Sequence, residues 1–276
     1  MAMKTKYPDG IHQISNAEYH ASEGISRSAL WKLRKSPAHF WHEYMNPEFV
    51  KPEPSPALIL GNLVHTLVLE EDKLEDEFAF IPSVDRRTKA GKEEYAEFLA
   101  SSQGKTIVTP DMFAQAEAMA ESVSDNEYAK GLFHGARIEQ SIYFTHKATG
   151  LQVKCRPDAW KGGVITDLKT TADASPRAFQ SSAFTYGYYT QAGIIARGIE
   201  SLGERMDKFV MLCVEKTAPY ATATYVLDDE AIEYGMTLFD ELMVKYAECL
   251  SADRWPAYEL RTLEIPGYAR LINEED

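Results

Sequence analysis

The chain has few cysteines, no long apolar run and a shortage of positive charge, and each shortage narrows the class of protein. Only three cysteines occur in 276 residues, at the widely spaced positions 155, 213 and 249. An odd, scattered set predicts reduced thiols rather than disulfides or a cysteine-based zinc or iron–sulfur site. No segment is apolar and long enough to cross a membrane, and residues 1–9 (MAMKTKYPD) lack the apolar region of a signal peptide. We therefore expect a cytoplasmic protein with no membrane partner.

The charge balance is acidic but uneven. There are 42 acids and 29 bases, which gives a formal net charge of −13. A negative chain is a poor general match for nucleic acid, which is itself a polyanion. However, residues 225–276 hold 13 of the acids and 4 of the bases, so the remainder is much closer to neutral. The composition therefore leaves a DNA-binding protein open, and the 45% hydrophobic content predicts a proper core.

The most informative segment is residues 151–171, LQVKCRPDAWKGGVITDLKTT. Two runs rich in β-formers flank two adjacent glycines, 162 and 163, which predicts a tight hairpin turn. That register places Asp158 opposite Asp167, and Lys169 leaves the same face two residues further on. Facing carboxylates repel unless a cation lies between them, and hard oxygen ligands suit Mg²⁺ or Mn²⁺. An acid-x-Lys sequence on a strand is more often a solvated face, so both interpretations stay open here.

The preceding segment extends the pattern. Residues 136–146 (ARIEQSIYFTH) are strand-like, and residues 147–150 form a plausible four-residue loop. The resulting register places Glu139 opposite Asp158, so that three acids line one face of an antiparallel meander. A single bulge at either turn would break this alignment.

Three of the helices predicted before this meander bear on the site. Ser26 or Ser28 caps the first, and Ser36 followed by proline begins the second. Residues 57–70 (ALILGNLVHTLVLE) are apolar on nearly every side and predict a buried helix that carries His65. A histidine in such a helix is usually a hydrogen-bonded core residue. It is a metal-ligand candidate if the helix borders the carboxylates, because neutral imidazole binds metals well.

Two basic segments are candidates for phosphate contacts. One is residues 82–94, where Arg86, Arg87 and Lys89 form either a mobile clamp on a nucleic-acid backbone or a solvated loop. The other is the first predicted helix and its end, which carry Arg27, Lys32, Arg34 and Lys35. Such basic residues more often form the solvent-exposed face of a helix.

The C-terminal half completes an α/β pattern. A helical stretch begins at Pro176 and continues to 198, and it places Tyr188 and Gln191 on one face. Strands are predicted over 208–215 and 220–227, and a last long helix follows Asp228. The order α-β-β-β-α-β predicts an α/β sandwich around a mixed sheet flanked by helices.

With these elements together, the chain resembles the PD-(D/E)XK (restriction-endonuclease-like) nuclease superfamily. More closely, it resembles the RecE-type exonucleases (exodeoxyribonuclease VIII) of prophages and phages. The resemblance extends from about residue 19 to 256, and its landmarks stand in this order: GISRSAL, SPAHFW, LGNLVHTLVLE, RRTKAGKEE, EQSIYF, CRPD, DLKTTAD, YxxQ and WPA. It implies a single nuclease domain over 1–276, with a helical part (about 20–130) wrapped on an α/β catalytic core (about 135–250).

The resemblance also implies roles for individual residues. His65, Asp158 and Asp167 match the metal ligands of the family, and the backbone carbonyl of Leu168 completes that set. Lys169 matches the lysine that orients or activates the attacking water and steadies charge on the phosphate. Glu139 matches an acid beside the site, and Gln191 with Tyr188 matches a helix that supports the site and touches DNA. Position 195 differs, because it is isoleucine where the family often has tyrosine.

The implied activity is Mg²⁺-dependent hydrolysis of a DNA phosphodiester, with Mn²⁺ as a substitute. The resemblance further implies processive 5′-to-3′ digestion of double-stranded ends by a ring-shaped homo-oligomer. The single-stranded product would pass to an annealing partner of the RecT type in recombination. Alternatives are an endonuclease or single-strand nuclease of the same fold, a non-catalytic DNA-binding recombination scaffold and, last, a phosphoesterase acting on small molecules.

Overall fold

The computed structural model of the protein describes residues 5–265. The predicted domain of 1–276 therefore extends at both ends into residues that lie outside the described part. The strands of the described part are β1 Gly10–His12, β2 Phe78–Phe80, β3 Thr106–Val108, β4 Arg137–Ile138, β5 Ser141–Thr145, β6 Gln152–Cys155, β7 Ala159–Lys161, β8 Val164–Thr171, β9 Lys208–Glu215 and β10 Thr222–Val226.

Most of the helices begin at a residue whose side chain accepts a backbone N–H of the first turn. Ser26 and Ser36 do so for the two helices that the sequence predicted there, and Asp228 does so for the last one. The helices are α1 Asn16–Ala21, α2 Arg27–Lys35, α3 Pro37–Tyr44, α4 Pro56–Leu69, α5 Leu74–Glu77, α6 Lys89–Ser101, α7 Pro110–Asp125, α8 Ala129–Phe133, α9 Pro176–Thr185, α10 Tyr188–Ser201 and α11 Asp229–Ala252.

A five-stranded mixed sheet lies at the centre, in the order β10-β9-β8-β7-β4. The β8–β9 pair is parallel and the other pairs are antiparallel. A three-stranded antiparallel sheet (β1-β5-β6) and a parallel pair (β2-β3) accompany it. The sequence did not predict β1, β2 or β3, which have three residues each and therefore almost no periodic signal.

Helices cover both faces of the central sheet, and its strand β9 is apolar on both sides. Along β9, Phe209 and Met211 pack with α2, α9, α10 and α11 on one face. Leu212 and Val214 point the other way and pack with α4 and α7. Strands that are buried on two sides read as continuous apolar runs, as residues 208–215 do. The predicted α/β architecture of a mixed sheet flanked by helices is confirmed.

The predicted hairpin register is confirmed. Strand β7 pairs with β8 so that Ala159 lies opposite Thr166 and Lys161 opposite Val164. Gly162 has a φ of 58°, a conformation that glycine adopts at little cost. At Gly163 a Cβ atom would meet the Asp207 carboxylate at 2.0 Å, so the two turn glycines have separate reasons to be glycine.

The predicted continuous strand over 136–146 is wrong, although its register is right. The segment forms β4 and β5, which belong to different sheets, and the interruption begins at Glu139 with a φ of 50°. The partner segment breaks at the same level, between β6 and β7, where Pro157 has no N–H to donate to a ladder. One hydrogen bond bridges the two breaks, from Glu139 N–H to Asp158 O at 3.0 Å.

The predicted helical stretch from 176 to 198 is interrupted. Gly187 separates α9 from α10 and has a φ of 72°. A Cβ atom there would lie 2.6 Å from the Trp31 ring, so the turn is packed directly against α2.

None of the described helices is long and apolar enough to span a membrane.

Candidate active site

The predicted catalytic and metal-binding residues meet beside strands β7 and β8 of the central sheet, which lies between the two helical layers. Residues on β8 alternate in direction, so Asp167 and Lys169 face α10, whereas Leu168 faces α4. Helix α4 delivers His65 from the opposite layer. The site is therefore assembled from both layers and from the broken meander between them.

His65 is held against the backbone of β8. Its Nε2 lies 2.7 Å from the carbonyl oxygen of Leu168, and its Nδ1 lies 3.7 Å from Oδ2 of Asp158. The same Asp158 oxygen accepts the Leu168 N–H at 2.7 Å. The imidazole is therefore hydrogen-bonded to the backbone and also lies beside the carboxylates, so its role as a metal ligand stays a prediction.

Glu139 reaches the cluster because its backbone leaves the strand conformation. Its carboxylate lies 3.7 Å from the Arg156 guanidinium, which is almost fully buried and also donates to Ser141 Oγ and Ile14 O. Sequence reasoning missed this arginine. The signal was available in its position immediately before Pro157-Asp158, at the break in the meander.

Three of these side chains can share a cation. One ligand atom each from His65, Glu139 and Asp158 lies within 4.8 Å of the others. Ligands on opposite sides of an ion at about 2.1 Å are roughly 4.2 Å apart, so this set closes on a divalent cation with a small contraction. The mixture of imidazole and carboxylate suits several divalent metals and includes no thiolate.

Asp167 makes different contacts. Its Oδ2 is paired with the Lys169 ammonium and accepts no hydrogen bond of regular geometry, and its Oδ1 accepts the Gln191 amide at 2.7 Å. Lys169 Nζ in turn donates to Gln191 Oε1 at 3.3 Å and lies 4.7 Å from the centroid of the Tyr188 ring. The metal role that the sequence suggested for Asp167 stays a prediction, because its carboxylate engages the lysine.

Burial and mutual repulsion shape the titration of the acids. Burial, followed by the Asp167 charge, raises the pKa of Asp158 to about 6. Burial and then Asp158 raise the pKa of Glu139 well above its usual range, against the opposing Arg156. Burial alone would lower the pKa of Lys169, but the Asp167 and Asp158 carboxylates outweigh it and raise that pKa. Clustered, buried acids resist ionisation, and a bound cation would lower the electrostatic cost of ionising them.

Arg27 is a half-buried cation beside this group. Its guanidinium donates to the Tyr186 carbonyl at 3.1 Å and lies within electrostatic range of Asp167 and Tyr188. Burial, partly offset by Asp167, lowers the pKa of Arg27. The sequence favoured a solvent-exposed helix face for Arg27, but its side chain points inward toward the site.

The basic segment before α6 makes only local contacts among the described residues. Arg87 is paired with Asp85 at 2.9 Å, and Arg86 lies 4.6 Å from the centroid of the Tyr95 ring. Lys89 lies 3.8 Å from Glu93. The side chains of Arg87 and Lys89 are almost fully exposed, so both are free to reach a ligand, and their DNA contacts stay a prediction.

Position 195, where the resemblance leads one to expect tyrosine, holds a buried isoleucine. Ile195 is 1% exposed and packs in the core between α10 and the sheet. Tyr188, three residues before Gln191 on the same face, supplies the aromatic ring beside Lys169. The two predicted supporting residues of α10 therefore both contact the lysine.

Comparison with known families assigns the chain. A family model described as "PDDEXK-like domain of unknown function (DUF3799)" matches residues 26–261. The chain belongs to this family. The matched region begins at the N-cap of α2 and ends beyond α11, so it includes every site residue described above. The PD-(D/E)XK fold expected from the sequence is thereby confirmed.

One solved structure shares the fold of this chain. A protein from Eubacterium rectale described as a "putative exonuclease" superposes with a TM-score of 0.65 at 17% identity, covering 95% of this chain and 99% of the other. At this identity the likeness establishes the fold alone. A second structure, that of SSO0001, matches at a TM-score of 0.30 and 18% identity over 66% of this chain and 85% of the other. A comparison with curated proteins gives no match.

Proposed function

We propose that the protein is a metal-dependent exonuclease that digests double-stranded DNA from its ends, of the RecE type within the PD-(D/E)XK superfamily. One observation carries the proposal. In a PDDEXK-like domain, a cation-sized cluster of His65, Glu139 and Asp158 lies beside the Asp167–Lys169 pair on strand β8. Metal-assisted phosphodiester hydrolysis can use both parts: the cation polarises the phosphoryl oxygen and generates the nucleophile, and the fixed positive group stabilises developing negative charge.

The cation would be Mg²⁺, with Mn²⁺ as a substitute, held by His65, Glu139, Asp158 and the Leu168 carbonyl. When bound, it would polarise a phosphoryl oxygen and lower the pKa of a water molecule. The carboxylate of Asp167 would join the cation's shell only by exchanging part of its contact with Lys169, since the two are paired in the structure.

The protein's own groups have separable roles in this proposal. Lys169 is oriented by Asp167, Gln191 and Tyr188, so its ammonium has a fixed position from which to hold the attacking water and the phosphate. Gln191 bridges Asp167 and Lys169 and thereby fixes their geometry. Arg156 keeps Glu139 in the cluster by partly offsetting its buried charge.

The substrate and assembly are inferred from the family resemblance. We propose 5′-to-3′ processive digestion by a ring-shaped homo-oligomer in the cytoplasm, with the resulting single-stranded tail passed to a RecT-type annealing protein. The description of the Eubacterium rectale neighbour as an exonuclease supports the same class of reaction. Arg86, Arg87 and Lys89 are proposed to contact the phosphate backbone of the duplex, in one nuclease domain that spans the chain.

The decisive experiment compares linear duplex DNA with a covalently closed circle, in Mg²⁺ and in EDTA, with labels at the 5′ and 3′ ends. Metal-dependent loss of the linear form alone, with the 5′ label released first, supports the proposal. Cutting of the circle would retain the metal site but indicate an endonuclease. Asp158→Ala and Asp167→Ala should both abolish cleavage, and wild-type activity in either variant would remove the basis of the assignment.

A non-catalytic DNA-binding scaffold is the second candidate. Its support is the chain's exposed basic segment, which could bind DNA without cutting it. Against it stands the raised pKa of two clustered acids, an arrangement that costs stability and serves no purpose in a scaffold. Folded, metal-loaded protein that cleaves neither DNA form would favour the scaffold.

A further inference from the structure

A surface of aromatic rings and arginines adjoins the candidate active site at the α9–α10 turn. We call it the aromatic patch and define it by three rings and two guanidiniums: Trp31, Phe184, Tyr186, Arg27 and Arg34. Phe184 and Tyr186 are 51% and 57% exposed, so a large part of each side chain is open to a ligand. No function assigned above uses these two rings.

The patch is interleaved with positive charge. The Arg34 guanidinium lies 4.5 Å from the centroid of the Trp31 ring and 5.9 Å from that of Phe184. Stacked in this way, an arginine keeps its N–H edges available for a phosphate. The nearby acid Glu43 is neutralised by its own ion pair with Lys32, so it does not cancel this charge.

The patch is continuous with the catalytic lysine. The rings of Tyr186 and Tyr188 are 6.0 Å apart at an angle of 33°, and Tyr188 lies under Lys169 Nζ. Arg27 donates to the backbone of Tyr186 and lies within range of Asp167. Rings and cations therefore lead from the site of proposed cleavage outward to the surface.

The turn that carries the patch has a fixed shape. Gly187 adopts a left-handed conformation and packs against Trp31 so closely that no side chain fits between them. Tyr186 and Phe184 are thus presented from a turn clamped to α2 rather than from a loose loop. A preformed surface loses little conformational entropy when it binds a ligand.

We infer that the aromatic patch stacks the unpaired bases of a single DNA strand as that strand enters or leaves the site. Exposed rings combined with cations are the chemistry that proteins use for single strands, because every base has a π-face. Inside a duplex the base faces are covered by neighbouring bases, so only a single strand or a duplex end offers an open face to such rings. This inference rests on the proposed nuclease function and adds the strand separation that digestion of a duplex end requires.

Binding in EDTA tests the patch without any cleavage. The probe is 5′-fluorescein (dT)20, and its anisotropy is measured with the full-length protein. Phe184→Ala and Tyr186→Ala should each weaken binding by roughly 5- to 100-fold. Tyr186→Phe should keep the affinity because the ring remains. Tyr128→Ala is the matched control, since Tyr128 is also 57% exposed but lies between α7 and α8 on the other layer.

The charge of the patch gives an independent readout. Arg34→Gln should lower the slope of log K against log salt by about 0.7 if this arginine neutralises one phosphate of a single strand. A covalently closed duplex circle has no exposed terminal base, so it should bind the two alanine variants nearly as well as it binds wild type. Unchanged (dT)20 affinity in both alanine variants would overturn the inference.

The patch could instead join two copies of the chain, and the same variants distinguish this. If Tyr186→Ala changes the oligomeric state in sedimentation but leaves (dT)20 affinity unchanged, the patch is a subunit interface and the inference is wrong. Mg²⁺-dependent cleavage of linear duplex is measured separately. Cleavage without ring-dependent (dT)20 binding refutes only the patch, whereas ring-dependent binding without cleavage refutes only the nuclease.

Discussion

The raised pKa of Asp158 leads to a prediction whose sign is unusual for a substitution at a candidate active site. Asp158→Asn should stabilise the metal-free protein at neutral and alkaline pH. The side chain keeps its size and retains a carbonyl oxygen to accept the Leu168 N–H at 2.7 Å. What it loses is a buried negative charge that faces Asp167 and Glu139.

The magnitude follows from the shift. The pKa of Asp158 rises from 3.8 to about 6 on folding, so the folded state binds a proton more tightly than the unfolded state does. The cost of ionising the carboxylate therefore develops as pH rises from about 4 to about 6 and is complete above that range. At about 1.4 kcal/mol per pKa unit, the variant should gain about 3 kcal/mol in unfolding free energy at pH 8.

The assay is urea unfolding of both proteins in EDTA at pH 8 and at pH 4. The gain should be present at pH 8 and absent at pH 4, where the folded wild-type carboxyl is protonated and carries no buried charge. Asp173→Asn is the matched control, because Asp173 is an exposed acid whose pKa is lowered by its hydrogen bonds to Ser175. That substitution should bring no gain at pH 8.

Added Mg²⁺ at high concentration should make wild type more stable than Asp158→Asn. A cation that binds only the folded wild type stabilises it by RT ln(1 + [Mg²⁺]/Kd), or about 4.1 kcal/mol at a thousandfold excess over Kd, which exceeds the gain of about 3 kcal/mol expected for the variant. Asp158→Asn has lost a ligand and should respond far less. A variant that is less stable than wild type at pH 8 in EDTA, or equally stabilised at both pH values, would refute the reasoning.

Three further predictions concern other parts of the site and fold. Lys169→Ala should reduce cleavage of linear duplex by roughly 100-fold or more while the Mg²⁺-induced rise in Tm persists, and loss of that rise would contradict its assigned role. Gly187→Ala should lower the unfolding free energy in urea by about 2–4 kcal/mol, because alanine disfavours the left-handed turn and its Cβ would meet the Trp31 ring; a change below about 0.5 kcal/mol would contradict this packing. Arg86→Ala combined with Arg87→Ala should weaken duplex binding and lower its salt slope by about 0.9 for each phosphate that these arginines neutralise in the wild type, and an unchanged slope would favour a solvated loop.

Sequence alone determined the hairpin and the identity of the acids that it brings together. Glycine at 162 and 163 fixes a two-residue turn, and a strand period of two then dictates which residues face each other. Helix starts were equally predictable, because Ser26 and Ser36 satisfy first-turn N–H groups through local contacts. All these features depend on residues that are close together in the chain.

Tertiary structure alone decided how the cluster is divided between a cation site and an ion pair. Asp167 turns to Lys169 and Gln191, while His65 and Glu139 join Asp158. This choice depends on two helices from opposite layers, whose residues His65 and Gln191 are 103 and 24 positions from their partners on β8. No local pattern encodes such distances, because packing of the whole core sets them.

The break in the meander likewise depends partly on local sequence and partly on the tertiary structure. Residues 136–146 have the composition of one strand, and the predicted pairing holds on both sides of the interruption. The positive φ of Glu139 is offset by the interaction of its side chain with Arg156 and by the hydrogen bond from its N–H to Asp158 O. Those partners come from the neighbouring strand, so only the folded sheet could decide that the strand bends at the site.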